Sequence, residues 1–285
     1  MPVSVARLSQ LKQQDLAFDW QASQSSFYAT SVGMGREQSD RLSLAYTNDN
    51  SEQRVVPTMA CVMSVNVFDQ PYGWQLSQML HGEQRLQVHR PLSPSVRLVA
   101  DFSVSHIHDK GPDKPAILMT TTHVRDRDNQ APLFTAVSTL VARADGGFGG
   151  PQDELPTLAP VPTRSPDLEH TAQTRPEQAS LYRHNGDHNP LHFDPAVARA
   201  AGFDRPILHG LCTYGFACSA ILKTVCQYDN TLIRQFDARF SAPVYPGDTI
   251  VTQMWQSADI VAFRCVVPER DQVVLDRGMC RLAVQ

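Results

Sequence analysis

Residues 210–226 have the sequence GLCTYGFACSAILKTVC and are apolar around almost the whole circumference of a helix. A helix of that kind is buried on every side and not only on one face. The residues after it alternate apolar and polar side chains from Thr249, Ile260 and Val273 onward, which predicts antiparallel strands with one buried face. The pattern therefore predicts one central helix enclosed by a curved antiparallel sheet.

The first half of the chain carries a faint copy of this pattern. Alternating apolar runs recur at residues 96–104, 116–118 and 134–140. Landmark tyrosines and prolines recur in the same order in both halves: Tyr28, Pro57 and Pro91, then Tyr182, Pro206 and Pro243. We therefore predict an α+β fold in which two curved antiparallel sheets are each wrapped around a central helix.

The segment 149–178 separates the two halves. It contains six prolines among mostly polar neighbours, a composition that has no apolar face to bury. We predict a proline-rich linker here that runs over the surface. The chain is then divided into a first unit at 1–148 and a second unit at 179–285.

A second stretch, Tyr182–Pro195 (YRHNGDHNPLHFDP), predicts an active-site loop. Its two prolines each remove an N–H donor and favour extended geometry in the preceding residue, so the stretch cannot be one helix. Gly186 allows the chain to turn just before Asp187, and Asp187 and His192 can then converge across the bend. The alternative is a histidine that pairs with an acid only to stabilise the loop. Asp194, which precedes a proline, is expected to cap the next helix.

A metal site is a competing interpretation of the same loop. His184, His188 and His192 are spaced at four residues, and Asp187 and His209 are close in the sequence. A proline inside the stretch prevents the helix that would align the three histidines, and no cysteine pair completes a closed site. We therefore expect no metal.

Gly210 is the first residue of the predicted buried helix. Its backbone N–H is one of the unpaired donors at the positive end of the helix dipole, and no side chain blocks an approaching group. Such a donor suits an oxygen atom that develops negative charge. Simple packing between the helix and the loop is the alternative role.

Composition limits the classes of function. The chain has 285 residues, of which 42% are hydrophobic and 19% charged, with a net charge of −4 and a pI near 6.2. This balance gives no basic surface for nucleic acid or for an anionic membrane, and favours a small-molecule partner. The six cysteines form no C-x-x-C pair, and the sequence has neither a signal-peptide core nor a run of about 20 apolar residues. We therefore expect a cytoplasmic protein.

Two motifs carry a resemblance to a known family. The sequence Y-R-x-x-G-D-x-N-P-L-H-x-D-P at 182–195, followed by G-F-x-x-P-I-L-H-G-L-C-T-x-G at 202–215, resembles the hydratase 2 or MaoC-like family of (R)-specific enoyl-CoA hydratases. Short segments of the first half resemble the non-catalytic repeat of the two-repeat members: 27–35, 56–58, 81–84, 109–111 and 146–150. The resemblance covers nearly the whole chain and implies a double hot dog fold.

The resemblance also implies roles for individual residues. Asp187 and His192 would be the catalytic pair, and Asn189 would orient a water molecule. The amide of Gly210 would form the oxyanion hole. Contacts to the CoA ester are implied for seven further residues: His81, Gly82, Lys110, His188, Pro190, Leu191 and Phe240. When the tyrosine landmarks are aligned, Gly33 falls at the place of Asp187, so the first half would supply binding surface without an acid.

The implied reaction is the reversible addition of water to a trans-2-enoyl-CoA, giving a (3R)-3-hydroxyacyl-CoA, with the CoA thioester as substrate and no cofactor. Three alternatives stay open: a hot dog acyl-CoA thioesterase, a 3-hydroxyacyl dehydratase acting on acyl-carrier protein, and a non-catalytic acyl-CoA-binding protein. We expect neither nucleic acid nor membrane as a partner. A homodimer is expected from the tendency of hot dog sheets to pair through their edges, although two repeats in one chain can satisfy that pairing internally.

Overall fold

The computed structural model describes residues 4–37, 39–74 and 78–284. The first half contains strands β1 (Lys12–Trp20), β2 (Met79–Val88), β3 (Val96–Asp109), β4 (Ala116–Asp126) and β5 (Pro132–Ala142). The second half contains strands β6 (Leu168–Gln173), β7 (Ile233–Phe240), β8 (Thr249–Ser257), β9 (Ile260–Val267) and β10 (Gln272–Leu282). The helices are α1 (Val5–Ser9), α2 (Ala22–Ser31), α3 (Arg41–Leu44), α4 (Gln178–Tyr182), α5 (Pro195–Ala200) and α6 (Gly210–Thr224).

Within the described residues, these strands form one antiparallel sheet in the order β1-β3-β4-β5-β2-β7-β10-β9-β8-β6. Each first-half strand corresponds to the strand whose number is five higher, β1 to β6 and so on. With this correspondence the order is the same when it is read from either edge of the sheet. Such an order is expected of two copies related by a two-fold axis. The axis passes through the pairing of β2 with β7, where Arg85 lies opposite Asp237. The double hot dog fold is confirmed, with its two sheets joined edge to edge.

The buried helix α6 is also confirmed, and it begins at Gly210 as predicted. It ends at Thr224 and not at Cys226, because the chain turns there through Gln227 and Tyr228, which both have positive φ. Most of its side chains, from Cys212 to Leu222, are buried. The strands of the second half close around it.

The first half differs from the prediction, because the described residues contain no long central helix there. The described residues of the segment that precedes β2, as α6 precedes β7, form only two short 3₁₀ turns, Pro57–Cys61 and Val67–Asp69. Residues 62–67 (VMSVNV) include three β-branched valines and polar residues that favour caps and turns, which lowers the helix propensity of the segment. The expectation of one central helix in each half is therefore wrong for the first half.

The segment 149–178 follows the surface for much of its length, but it is held at several points. Leu158 is only 7% exposed. Arg85 donates a hydrogen bond of 2.6 Å to the carbonyl of Pro156, and Arg277 donates one of 2.6 Å to the carbonyl of Leu158. The later part of the segment forms β6, which pairs with β8. The predicted linker thus also contributes the edge strand of the second half.

The two halves share one main hydrophobic core. Tyr28 of α2 and Tyr182 of α4 are both 1% exposed and their ring centroids lie 6.2 Å apart, as expected of equivalent residues near a two-fold axis. None of the helices described is both long and apolar enough to cross a membrane.

Candidate active site

The loop after α4 brings the predicted acid and histidine together. Gly186 ends a 3₁₀ turn with φ of 109°, a conformation that favours glycine. The backbone N–H of Asn189 then donates to Oδ1 of Asp187 at 3.1 Å, and Oδ1 of Asn189 accepts from the N–H of Leu191 at 3.0 Å. These two overlapping side-chain turns bend the chain, so that Oδ2 of Asp187 lies 4.0 Å from Nε2 of His192. The predicted convergence is confirmed.

His192 is held in one tautomer. Its Nδ1 lies 2.9 Å from the carbonyl oxygen of Ile207, and a carbonyl can only accept, so Nδ1 carries the proton. Nε2 then presents a lone pair towards Asp187. Burial lowers the pKa of His192 below its ordinary value, although the Asp187 carboxylate and the bond to Ile207 act in the opposite direction. The imidazole is therefore neutral at physiological pH and able to accept a proton.

Gly210 begins α6 at the inner end of this loop. The first N–H groups of a 15-residue helix have no partner inside the helix and lie at its positive end. A Cβ at position 210 would lie 3.1 Å from the ring of Phe240, so glycine allows that ring to pack against the helix start. The amide is thus accessible beside an aromatic wall.

An apolar cavity of about 320 Å³ opens onto these groups. Seven of the residues predicted from the sequence line it: His81, Asn189, Leu191, Phe240, Asp187, His192 and Gly210. The first half contributes much of the remaining wall through residues 61–62, 64–68 and 79–80. The segment that replaces the missing first-half helix therefore forms part of the cavity.

His81 lies on the first-half side of the cavity, between two aromatic rings. Its ring centroid is 4.8 Å from that of Phe240 and 5.7 Å from that of Phe68. Burial lowers the pKa of His81 to about 4. The ring is therefore uncharged at neutral pH and contributes a largely apolar surface.

Four predicted binding residues do not line the cavity. His188 and Pro190 are exposed on the outer side of the loop, and Lys110 is exposed in the turn after β3. Gly82 forms a bulge in β2, where a Cβ would lie 2.9 Å from the Val141 side chain, so its position is set by packing on β5. Contacts of these four residues with a CoA moiety outside the cavity stay predictions.

Two neighbours of the site were not singled out for these roles from the sequence. Asn185 is buried, and its Nδ2 donates to Oγ of Ser31 at 2.9 Å, which ties the loop to the first half. His209, considered only as a metal ligand, stacks on His192 with 3.8 Å between ring centroids. Its place directly before Gly210 was the available signal, but only the fold brings its ring against His192.

The donor geometry does not fit a metal ion. Asp187, His192 and His209 each have a potential ligand atom within 4.8 Å of the others. However, an imidazole lone pair lies in the plane of its ring, and the two rings are stacked with only 28° between their planes. An ion at about 2.0–2.1 Å from a nitrogen of each ring would lie outside the plane of at least one ring, where that ring has no lone pair to offer.

Comparison with known proteins shows the family of the chain. A family model described as MaoC like domain matches residues 157–276, and one described as MFE-2 hydratase 2 N-terminal domain matches residues 18–144. Enoyl-CoA hydratase ChsH3 of Mycobacterium tuberculosis is 37% identical over 270 residues, 92% of each chain. The peroxisomal enoyl-CoA hydratase 2 of Arabidopsis thaliana is 35% identical over 87% of this chain and 85% of its own. The crystal structure of a MaoC-like dehydratase from Phytophthora capsici superposes with a TM-score of 0.85 at 29% identity, covering 99% of this chain and 98% of that one. The chain therefore belongs to the two-repeat MaoC-like hydratase 2 family.

Proposed function

We propose that the protein is an (R)-specific 2-enoyl-CoA hydratase, a hydro-lyase that adds water reversibly to a trans-2-enoyl-CoA to give a (3R)-3-hydroxyacyl-CoA. The observation that carries the proposal is the 4.0 Å separation of the Asp187 carboxylate from Nε2 of His192 at the wall of an apolar cavity. The names of the two relatives as enoyl-CoA hydratases support the same reaction.

The acid and the histidine are suited to hold one water molecule. Oδ2 of Asp187 and Nε2 of His192 both accept, and a single water can donate about 2.8 Å hydrogen bonds to two acceptors at this separation. Its oxygen lone pairs then face away from both groups and toward the cavity. The backbone N–H of Asn189 holds the Asp187 carboxylate, while the Asn189 side chain accepts from the Leu191 N–H, so Asn189 would orient the water through the shape of the loop.

Addition of water to the enoyl group requires first a base, which takes a proton from the water, and then an acid, which gives a proton to C2. The water oxygen bonds to C3 of the enoyl group while one of its protons passes to the pair formed by Asp187 and His192. The same pair then delivers a proton to C2. Charge that accumulates on the thioester oxygen is stabilised by the Gly210 amide, and one such donor contributes about 2.7–4 kcal/mol to the barrier reduction.

The decisive test is a product analysis. The purified protein is mixed with a short and a long trans-2-enoyl-CoA, and loss of the conjugated double bond is followed together with free thiol. We expect loss of the double bond, no thiol release and a 3R product. Thiol release without hydration would instead identify a thioesterase, and tight binding without turnover would identify a binding protein.

We further propose that the reaction needs no metal or cofactor. The stacked arrangement of His192 and His209 supports this, because their lone pairs do not converge on one ion. Full hydratase activity after dialysis against a strong chelator is the expected result. Activity that falls and returns with an added divalent cation would contradict it.

Three further expectations stay proposals with simple tests. We propose the chain division at 149–178, to be tested by limited proteolysis, and a homodimer, to be tested by light scattering. A cytoplasmic location is supported by the six free thiols, which suit a reducing compartment, and cell fractionation would test it.

A further inference from the structure

His209 has no assigned part in the chemistry, yet it lies at the centre of the site. It is the residue before Gly210 at the start of α6, and it is only 1% exposed. One face of its ring stacks on His192, and the Tyr182 ring lies 5.0 Å away. The ring is not part of the cavity wall, so it does not touch a substrate there.

The hydrogen bonds of His209 define its protonation state. Nε2 lies 3.2 Å from the backbone carbonyl oxygen of Asp187, so Nε2 carries the proton. Nδ1 is buried and has no hydrogen-bond partner among the residues described. Burial, reinforced by His192, lowers the pKa of His209 well below its ordinary value, although the bond to Asp187 opposes this. The side chain is therefore a neutral donor.

We propose that His209 is a positioning residue, which holds the backbone of Asp187 and covers one face of His192 so that the two catalytic groups share one water. The inference rests on the proposed hydratase function and deepens it. Asp187 follows Gly186, the most conformationally free position of the loop, and its side chain is 26% exposed. The hydrogen bond from His209 Nε2, at the start of α6, to the Asp187 carbonyl restrains the backbone next to this glycine.

The same bond couples two parts of the site. His209 and Gly210 are consecutive, so the group that fixes the acid is joined covalently to the proposed oxyanion donor. The distance between the attacking water and the thioester oxygen is then set by one short stretch of backbone. An error of about 1 Å in such a distance can reduce the rate about 100-fold.

The cover on His192 has a separate consequence. The His209 ring keeps water from one face of His192, and desolvation favours the neutral imidazole that can accept a proton. The titratable groups that face His192 are Asp187 and His209, and His209 itself is near Tyr182, Arg183 and His188. The Asp187 carboxylate favours a charged His192, so removal of the cover would let His192 protonate at higher pH.

Two substitutions separate the donor from the ring. Gln at position 209 can place its Nε2 near the Asp187 carbonyl but leaves the His192 face open, whereas Phe keeps the stacked ring and removes the donor. For His209→Phe we expect kcat to fall about 10- to 100-fold with KM within about threefold, and no upward shift of the acid limb of kcat/KM. For His209→Gln we expect kcat within about fivefold of wild type at high pH and an acid limb shifted upward by about half a unit or more.

Binding of a saturated acyl-CoA by calorimetry counts the competent sites, so both rates are compared per folded site. A merely structural role would lower the number of sites in both variants and leave the rates per site and the pH profiles unchanged. That outcome would overturn the inference, and so would a wild-type kcat in His209→Phe.

A measurement without substrate separates this inference from the proposed function. Nitrogen NMR of the imidazoles should show His209 neutral with its proton on Nε2, and the His192 titration should move upward in His209→Gln. If the wild-type protein does not hydrate enoyl-CoA, the proposed function fails even when these signals are as expected. If hydration occurs but His209 is charged or carries its proton on Nδ1, only the positioning role fails.

Discussion

The two halves of the molecule have the same strand order but differ at the turn that leads into the site. In the second half, the 3₁₀ turn after α4 ends at Gly186 with positive φ, and the next residue is Asp187. In the first half, α2 is followed by Gly33, also with positive φ, and the next residue is Met34. Matching the two glycines places Met34, and not Gly33, opposite Asp187.

Met34 and Asp187 occupy equivalent turns but have different surroundings. Met34 is 1% exposed and belongs to the shared hydrophobic core, whereas Asp187 is partly exposed beside the cavity. Where the second half has α6, the described residues of the first half form only short 3₁₀ turns. Residues 61–62 and 64–68 of the first half line the cavity, so we propose that one repeat supplies the reacting groups and the other supplies binding surface.

The largest expected effect is on the acid that the first half lacks. Asp187→Asn or His192→Ala should lower hydratase kcat at least about 100-fold, because the first removes the carboxylate that can take a proton and the second removes the imidazole that accepts from the water. Melting temperature should change little. Asp194→Asn is the matched control in the same loop, since asparagine still caps α5. Near-normal turnover in either site variant would show that these residues do not carry the reaction.

The second prediction concerns placing an acid in the first half, at the position that corresponds to Asp187. Met34→Asp should destabilise the protein by about 3–5 kcal/mol, because it buries a carboxylate without a charge partner. Met34→Leu keeps the apolar volume and should cost less than about 1.5 kcal/mol. Denaturant unfolding measures both values. Adding Met34→Asp to Asp187→Asn should not restore hydratase activity, and recovery would mean that the first half still has a working site.

The third prediction concerns a carboxylate that stabilises the first half alone. Asp109 is 2% exposed and accepts four backbone N–H bonds, from Gly111, Gly147, Gly149 and Gly150. Burial alone would raise the pKa of Asp109, but these donors hold it at about 2. Asp109→Asn presents an amide N–H₂ group to two of them and should cost about 3 kcal/mol of unfolding free energy.

The pH dependence follows from the same shift. Since the pKa of Asp109 is depressed on folding, its contribution is complete above the unfolded-state value of about 3.9 and is lost as the pH falls towards 2. The acid destabilisation of the wild type in this range should therefore be weaker in Asp109→Asn. Asp113→Asn, in the exposed turn nearby, should change stability by less than about 0.5 kcal/mol. Equal losses in both variants would contradict the role of the four bonds.

The smallest expected effect lies where the halves meet. Burial raises the pKa of Asp237 on β7 to about 6, although Gln235 and the Leu86 N–H donate to its carboxylate. A raised acid pKa makes the folded state lose stability as the pH rises from about 4 through 6. Asp237→Asn should remove this slope and add about 1–2 kcal/mol at pH 7.5. Denaturant unfolding at about pH 4 and at pH 7.5 would measure the change in unfolding free energy. Asp276→Asn on β10 is the control. If the pH dependence of the unfolding free energy were unchanged, ionisation of Asp237 would not be what destabilises the folded state.

Six of the ten strands described could be predicted because their signals are local. The strands β3, β4, β5, β8, β9 and β10 all follow alternating patterns. Strands β1, β2, β6 and β7 were not predicted. In β2 and β7 polar residues such as Gln84 and Asp237 are buried at the join between the halves, which interrupts the alternation. The burial of those residues depends on a partner strand more than 100 residues away.

The sequence by itself determined the two-repeat architecture, the buried helix beginning at Gly210 and a bend that brings Asp187 to His192. Prolines, glycines and side-chain periodicity encode these features over a few residues, so no distant contact is needed to recognise them. Three features were decided only by the tertiary structure. The described residues of the first half contain no central helix, seven of the implied residues line the cavity, and His209 stacks on His192. These features depend on contacts between segments far apart in the chain, and local patterns of residues do not specify such contacts.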